Sequence, residues 1–181
     1  MISKKMEDAF NSQINAELYS AYLYLSMAAW FESQNLLGFA HWLKVQTQEE
    51  MVHGLKFFNF LNDRGGKVKL ATIAAPEVKW KSPLDAFEFT YKHEQKVTGL
   101  INNLVDIALA EKDRAGQVFL DWFVNEQVEE EKSASEIAQK LKMIGDNTSA
   151  LYMLNQELGA RIFTLPPDMV EWAPGTGGAA A

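Results

Sequence analysis

The 181-residue sequence has no cysteine. That excludes a disulfide scaffold, a thiolate zinc site, an iron–sulfur cluster and a cysteine nucleophile. Proline is scarce: there are five in all, and the first is Pro76. Basic side chains are outnumbered, 17 against 24 acidic, for a formal net charge of −7. An acidic surface repels phosphate backbones and attracts cations, so no nucleic-acid partner is expected. Long apolar runs are also missing. The most apolar stretch, Leu18 to Phe31, is too short to span a bilayer and meets Glu32 at once. The first 13 residues are polar and charged, with no apolar signal region. No membrane association is expected, and the expected compartment is the cytoplasm.

What is present favours helix. Hydrophobic residues make up 48% of the chain and charged residues 23%, a globular balance. Alternating three- and four-residue spacing marks four long helical seams. The first, over about 4–33, carries Phe10, Ile14, Glu17, Ala21, Tyr24, Ala28 and Phe31. The second, over about 36–64, carries Phe39, Leu43, Gln46, Glu50, His53, Phe57 and Phe60. The third starts at Ser82-Pro83 and carries Phe87, Thr90, Glu94, Val97, Ile101, Leu104 and Ala108. The fourth, over about 114–144, carries Leu120, Phe123, Gln127, Glu130, Ala134, Ile137, Leu141 and Ile144. Gly145 stops it, and Asp146, Asn147 and Thr148 offer caps for a shorter fifth helix with Leu151, Leu154, Leu158 and Ile162.

Most connections are short, which makes neighbouring helices antiparallel. The link from Gly65 to Ser82 differs. Its 18 residues can reach ~60 Å, whereas a 30-residue helix is ~45 Å long. It predicts a long crossover between parallel helices two and three. The expected domain is residues 1–163. Residues 164–181 form an expected flexible tail, ending in a glycine- and alanine-rich run without pattern.

Each seam is apolar at both ends and polar in the middle. Helix one places Glu17 there, helix two Glu50 and His53, helix three Glu94, and helix four Gln127 and Glu130. Counted along the helices, these residues share one layer within ~8 Å of height. Four buried carboxylates would repel one another and lose hydration, and no seam carries arginine or lysine at this level. Two divalent cations would balance four glutamates. One imidazole among oxygen ligands suits iron or manganese, and also zinc. The pattern is close to the carboxylate di-metal constellation of four-helix bundles, with Gln127-x-x-Glu130 in place of a second Glu-x-x-His. Glu49, Glu126 and Glu129 sit one position off the seams and form either a third cation site or a solvated acidic face.

Three segments carry a resemblance: Gln13-Ile-Asn-Ala-Glu17-Leu-Tyr-Ser-Ala-Tyr-Leu-Tyr24, Gln48-Glu49-Glu50-Met-Val-His53 and Trp122-Phe-Val-Asn-Glu126-Gln127-Val-Glu-Glu-Glu131. With these the chain resembles the non-haem ferritins of bacteria and archaea over roughly residues 3–163. The resemblance implies a ferritin-like four-helix bundle with one long crossover and a short fifth helix. It implies a first iron site of Glu17, Glu50 and His53, and a second of Glu50, Glu94 and Glu130, bridged by Glu50. Gln127 and Tyr24 are then the catalytic candidates: Gln127, also counted among the metal residues, lies near the second iron where it can meet oxygen or an iron ligand, and Tyr24 hydrogen-bonds the site and acts in electron transfer. Glu49, Glu126, Glu129 and Glu130 match the third iron site of that family.

The implied activity is oxidation of Fe(II) by O₂ or H₂O₂ at the di-iron centre, followed by storage of ferric mineral in a hollow homo-oligomeric shell, commonly of twenty-four subunits. Haem is not expected: bacterioferritin would show histidine at Glu130, and Met51 also suits interface packing. A di-iron oxidoreductase of peroxidase type that stores nothing is the alternative. A structural assembly with a vestigial site is the third reading. His41 and His93 point away from the ligand layer, and Trp30, Trp42 and Trp122 suit packing. Glu111, Asp113 and Asp121 are candidates for an iron access channel.

Overall fold

The computed structural model describes residues 2–167 and 169. Among these there are five α-helices and no strand: α1 (Lys4–Ser33), α2 (Leu37–Asp63), α3 (Pro83–Ala110), α4 (Arg114–Ile144) and α5 (Thr148–Leu158). Local chemistry sets four of the five starts. Ser3, Ser82, Asp113 and Asn147 each accept a hydrogen bond from a backbone N–H of the first turn they precede. Pro83 occupies the first turn of α3, where no N–H is needed. Gly145 ends α4 at φ +52°, a conformation that disfavours a side chain.

α2 has no cap of its own, because Leu36 precedes it. Asn155 of α5 supplies one: its Oδ1 accepts from Gly38 N at 2.8 Å and Phe39 N at 3.3 Å. The contact is so close that a Cβ on Gly38 would lie 1.6 Å from the Asn155 carbonyl oxygen. The fifth helix is thereby fixed to the start of the second. It ends sooner than the leucine spacing suggested: Gly159 follows Leu158, and Ile162 lies beyond the helix, 82% exposed.

The long link is a crossover, as its length predicted. Asn11 bonds Lys67 and Lys69, Asn15 bonds Ala71 and Thr72, and Ser26 donates to the Glu77 carbonyl. The link thus follows α1 from near its start toward its end, where Trp80 meets Trp30. α3 begins beside the start of α2, and the two run parallel. Two apolar clusters fill the ends of the bundle. Phe31, Phe39, Leu43, Phe87 and Leu141 pack at one end; Met6, Phe10, Phe57, Leu104 and Phe123 pack at the other. Residues 168 and 170–181, most of the expected tail, lie outside the described residues. Met169 is buried, with its sulfur 4.0 Å from the Asn59 amide of α2.

Candidate metal centre

Between the two apolar clusters lies a polar layer. Gln13, Glu17, Gln46, Glu50, His53, Glu94, Gln127 and Glu130 are all buried, none more than 4% exposed. The helical period places them there: all but Gln13 occupy seam positions, and the seams turn apolar above and below the layer.

Ligand atoms of Glu17, Glu50 and His53 lie within 4.8 Å of one another. His53 Nδ1 is 3.4 Å from Glu50 Oε2, and its Nε2 is 3.9 Å from Glu126 Oε1. Gln13 donates to Glu17 Oε1 at 2.8 Å, but the buried Oε2 of Glu17 has no hydrogen-bond partner. Left ionised, that oxygen would cost roughly 1–3 kcal/mol or more, and a proton shared with the Glu50 carboxylate relieves it. With Glu50 and His53 beside it, Glu17 belongs to a group that could hold a cation in place of that proton. A second group unites His53, Glu126 and Glu130.

The α3–α4 side is built differently. Glu94 accepts a hydrogen bond from the Tyr24 hydroxyl, and Gln127 donates to Glu94 Oε2 at 3.4 Å and to Thr98 Oγ1 at 3.3 Å. Glu130 Oε2 accepts from Gln46 Nε2 at 2.6 Å. Glu94 lies in the layer, but neither group of clustered ligand atoms includes it.

Burial pushes every one of these carboxyls up. Glu17 rises to about 8 through burial and then the charge of Glu50; Glu130 rises to about 8 for the same two reasons. Glu50 rises to about 7 by burial, and Glu94 rises well above the carboxylate range through burial and then Glu130. Without cations, the layer holds protons at neutral pH. A metal ion replaces those protons and repays the burial.

Around the layer, Glu49 is partly buried and paired with Arg161, while Glu129 is exposed and outside both ligand groups. His41 is exposed and bonds the Arg161 carbonyl. His93 bonds Ser20 at 2.8 Å, and burial lowers its pKa to about 4, so it is neutral. Asp113 caps α4 and pairs with Arg64 at 2.9 Å. Trp122 stands edge-on to His53 with the Lys56 ammonium over its ring. Two features of this surround were not foreseen: Arg161, which arrives from beyond α5, and Thr98, which donates to Glu131 at 2.6 Å.

The fold and the polar layer together define a four-helix bundle whose buried carboxylates and histidine could hold metal ions. The ferritin-like domain family matches residues 7–144, and the chain belongs to that family. It is 46% identical to a bacterial non-haem ferritin of Bacteroides fragilis over 161 residues, covering 89% of this chain and all of that one. It is 40% identical to the Staphylococcus aureus protein of the same name over 163 residues, covering 90% of this chain and 98% of that one. Among solved structures, an Archaeoglobus fulgidus ferritin engineered to a closed form superposes with a TM-score of 0.90 at 54% identity, covering 91% of this chain and 100% of that one. The open-pore ferritin of the same archaeon superposes with a TM-score of 0.89 at 53% identity, covering 90% and 100%.

Proposed function

We propose that the chain is an iron-storage ferritin whose polar layer oxidises Fe(II) before the iron is laid down as ferric mineral. Family membership supports storage. The observation that carries the oxidation step is the grouping of Glu17, Glu50 and His53 around a buried carboxylate oxygen with no protein donor. Glu17, Glu50 and His53 take one Fe(II), and Glu50, Glu94 and Glu130 take the other. Each ion gives up one electron, and the two electrons, with two protons, reduce O₂ to H₂O₂ or H₂O₂ to two waters. Hard carboxylate oxygens favour the ferric product over the ferrous substrate, which drives the step forward. Tyr24 and Gln127 orient Glu94 through their hydrogen bonds. Glu49, Glu126, Glu129 and Glu130 hold a third ion, supported by the approach of Glu126 to His53 and Glu130.

The working form is a homo-oligomeric shell of twenty-four subunits in the cytoplasm. Large apolar side chains on the outside of this subunit support burial against other copies: Val118, Val128, Met143, Tyr152 and Met153 are all exposed. No helix among the described residues is long and apolar enough to cross a membrane. The test is aerobic Fe(II) loading of the apoprotein, with retained iron counted per subunit after gel filtration. A shell of twenty-four 20.4-kDa chains elutes near half a megadalton. Storage predicts far more iron than the three sites can bind. Retention of only about two ions per chain would overturn storage and leave a di-iron redox enzyme.

A further inference from the structure

Arg161 follows α5 in the chain yet reaches the edge of the metal layer. Its guanidinium lies 4.3 Å over the Trp42 ring. One arm donates to the Trp42 carbonyl at 3.4 Å and to Gln46 Oε1 at 2.7 Å; the other donates to Glu49 Oε2 at 2.5 Å. The Arg161 carbonyl in turn accepts from the His41 ring. The side chain is thus held at both ends.

Its two arms act on the site in different ways. A guanidinium only donates, so it fixes which end of the Gln46 amide faces it. The oxygen of Gln46 meets Arg161, and the nitrogen must therefore face Glu130 Oε2 at 2.6 Å and Glu50 Oε1 at 3.3 Å. The other arm occupies a carboxylate oxygen of Glu49 and places a positive charge beside the acidic group of Glu49 and Glu126.

We propose that Arg161 is a positioning residue that keeps the third cation weakly held by competing for Glu49, while it locks the Gln46 amide toward Glu50 and Glu130. The proposal rests on the three-site reading above. A cation at Glu49 feels a guanidinium a few ångströms away, and the repulsion speeds its departure. A weak third site suits an ion in transit to a mineral rather than one bound for good.

The experiment is calorimetric titration of the assembled apoprotein with Zn(II) at fixed pH, reading each binding step. The wild type is expected to take two ions tightly and a third weakly. R161Q is expected to tighten the third step about tenfold, the size of a removed nearby charge in a half-exposed setting. R161K keeps the charge on Glu49 and is expected to keep the third step weak, but it cannot serve Gln46 and Trp42 as well. The Co(II) absorption spectrum of the two tight sites therefore changes in both variants. In an E49Q background, R161Q is expected to leave the third step unaltered. A role confined to docking the C-terminal segment would lower Tm and leave the Zn(II) steps alone. A third step within twofold of wild type in R161Q overturns the proposal with the three-site reading intact. A wild type that binds only two ions overturns both.

Discussion

The two sides of the metal layer are built on different terms. On the α1–α2 side, one Glu17 oxygen has no protein donor, and ligand atoms of Glu17, Glu50 and His53 lie within 4.8 Å of one another. On the α3–α4 side, Glu94 has a donor on each oxygen, Tyr24 on one and Gln127 on the other, whereas Glu17 has Gln13 on one oxygen only and Glu50 has Gln46 on one only. A cation reaching the first side displaces protons. A cation reaching the second must rearrange more hydrogen bonds, because both oxygens of Glu94 are already engaged. On the proposed reading, the first side is the tighter, preorganised site and the second the adjustable one.

The largest test of that contrast is a matched pair of isosteric substitutions. E17Q removes the charge that the open side depends on, and about 3 kcal/mol of cation binding goes with it, or roughly a hundredfold in affinity. E94Q removes a charge from a carboxyl that already has protein donors, and only about a tenfold loss at the second step is expected. Stepwise Co(II) titration followed by absorption reads both. Equal losses would show that the two sides are equivalent despite their different partners.

The next effect is on stability against pH. Glu17, Glu50 and Glu130 have pKa values of about 7 to 8 in the fold, and Glu94 lies well above its usual range. The native apoprotein therefore binds more protons than the unfolded chain from about pH 4.5 upward, and stability falls as pH rises through this window. His93, lowered to about 4, acts in the opposite sense, but only below the ordinary histidine range. Between pH 6.5 and 8 the carboxyls act alone, and the apoprotein Tm is expected to drop by several degrees. Zn(II) at pH 8 restores it, with release of protons. In E17Q the apoprotein slope is shallower, because one of the groups responsible is gone. A Tm that is flat or rising across that interval would show that the layer is already ionised without metal.

Much of this was legible in the chain because the seams are periodic. Glu17, Glu50, His53, Glu94, Gln127 and Glu130 stand where an apolar residue is expected, and a polar side chain on a buried stripe is visible without coordinates. The crossover was legible from length alone. What escaped has no period. Arg161 lies after Leu158 in a segment of irregular backbone, and only the docking of α5 through Asn155 on Gly38 brings it to Glu49. The same docking ends the helix before Ile162, which spacing had added to its apolar face. The absence of basic residues from the seams was correct, but the positive charge that reaches Glu49 comes from outside them. The partners of Glu94 were legible as neighbours, but not as hydrogen-bond donors, because the direction of an amide or hydroxyl depends on the opposite helix.

The smallest effect sharpens the contrast from within the adjustable side. Gln127 touches Glu94 only through long hydrogen bonds, at 3.4 Å to Oε2 and 3.4 Å to the carbonyl. Bonds of that length contribute little on their own. Q127L keeps much of the side-chain volume and removes both. Glu94 retains Tyr24, so its carboxylate stays oriented. The second cation step in Q127L is therefore expected to stay within about threefold of wild type, under ~0.7 kcal/mol. Thr98 also loses its contact with Gln127, but keeps its 2.6 Å bond to Glu131 and holds its rotamer. A loss as large as that of E94Q would mean that Gln127 binds the ion directly. The α3–α4 side would then be completed by helix four's glutamine rather than adjusted by it.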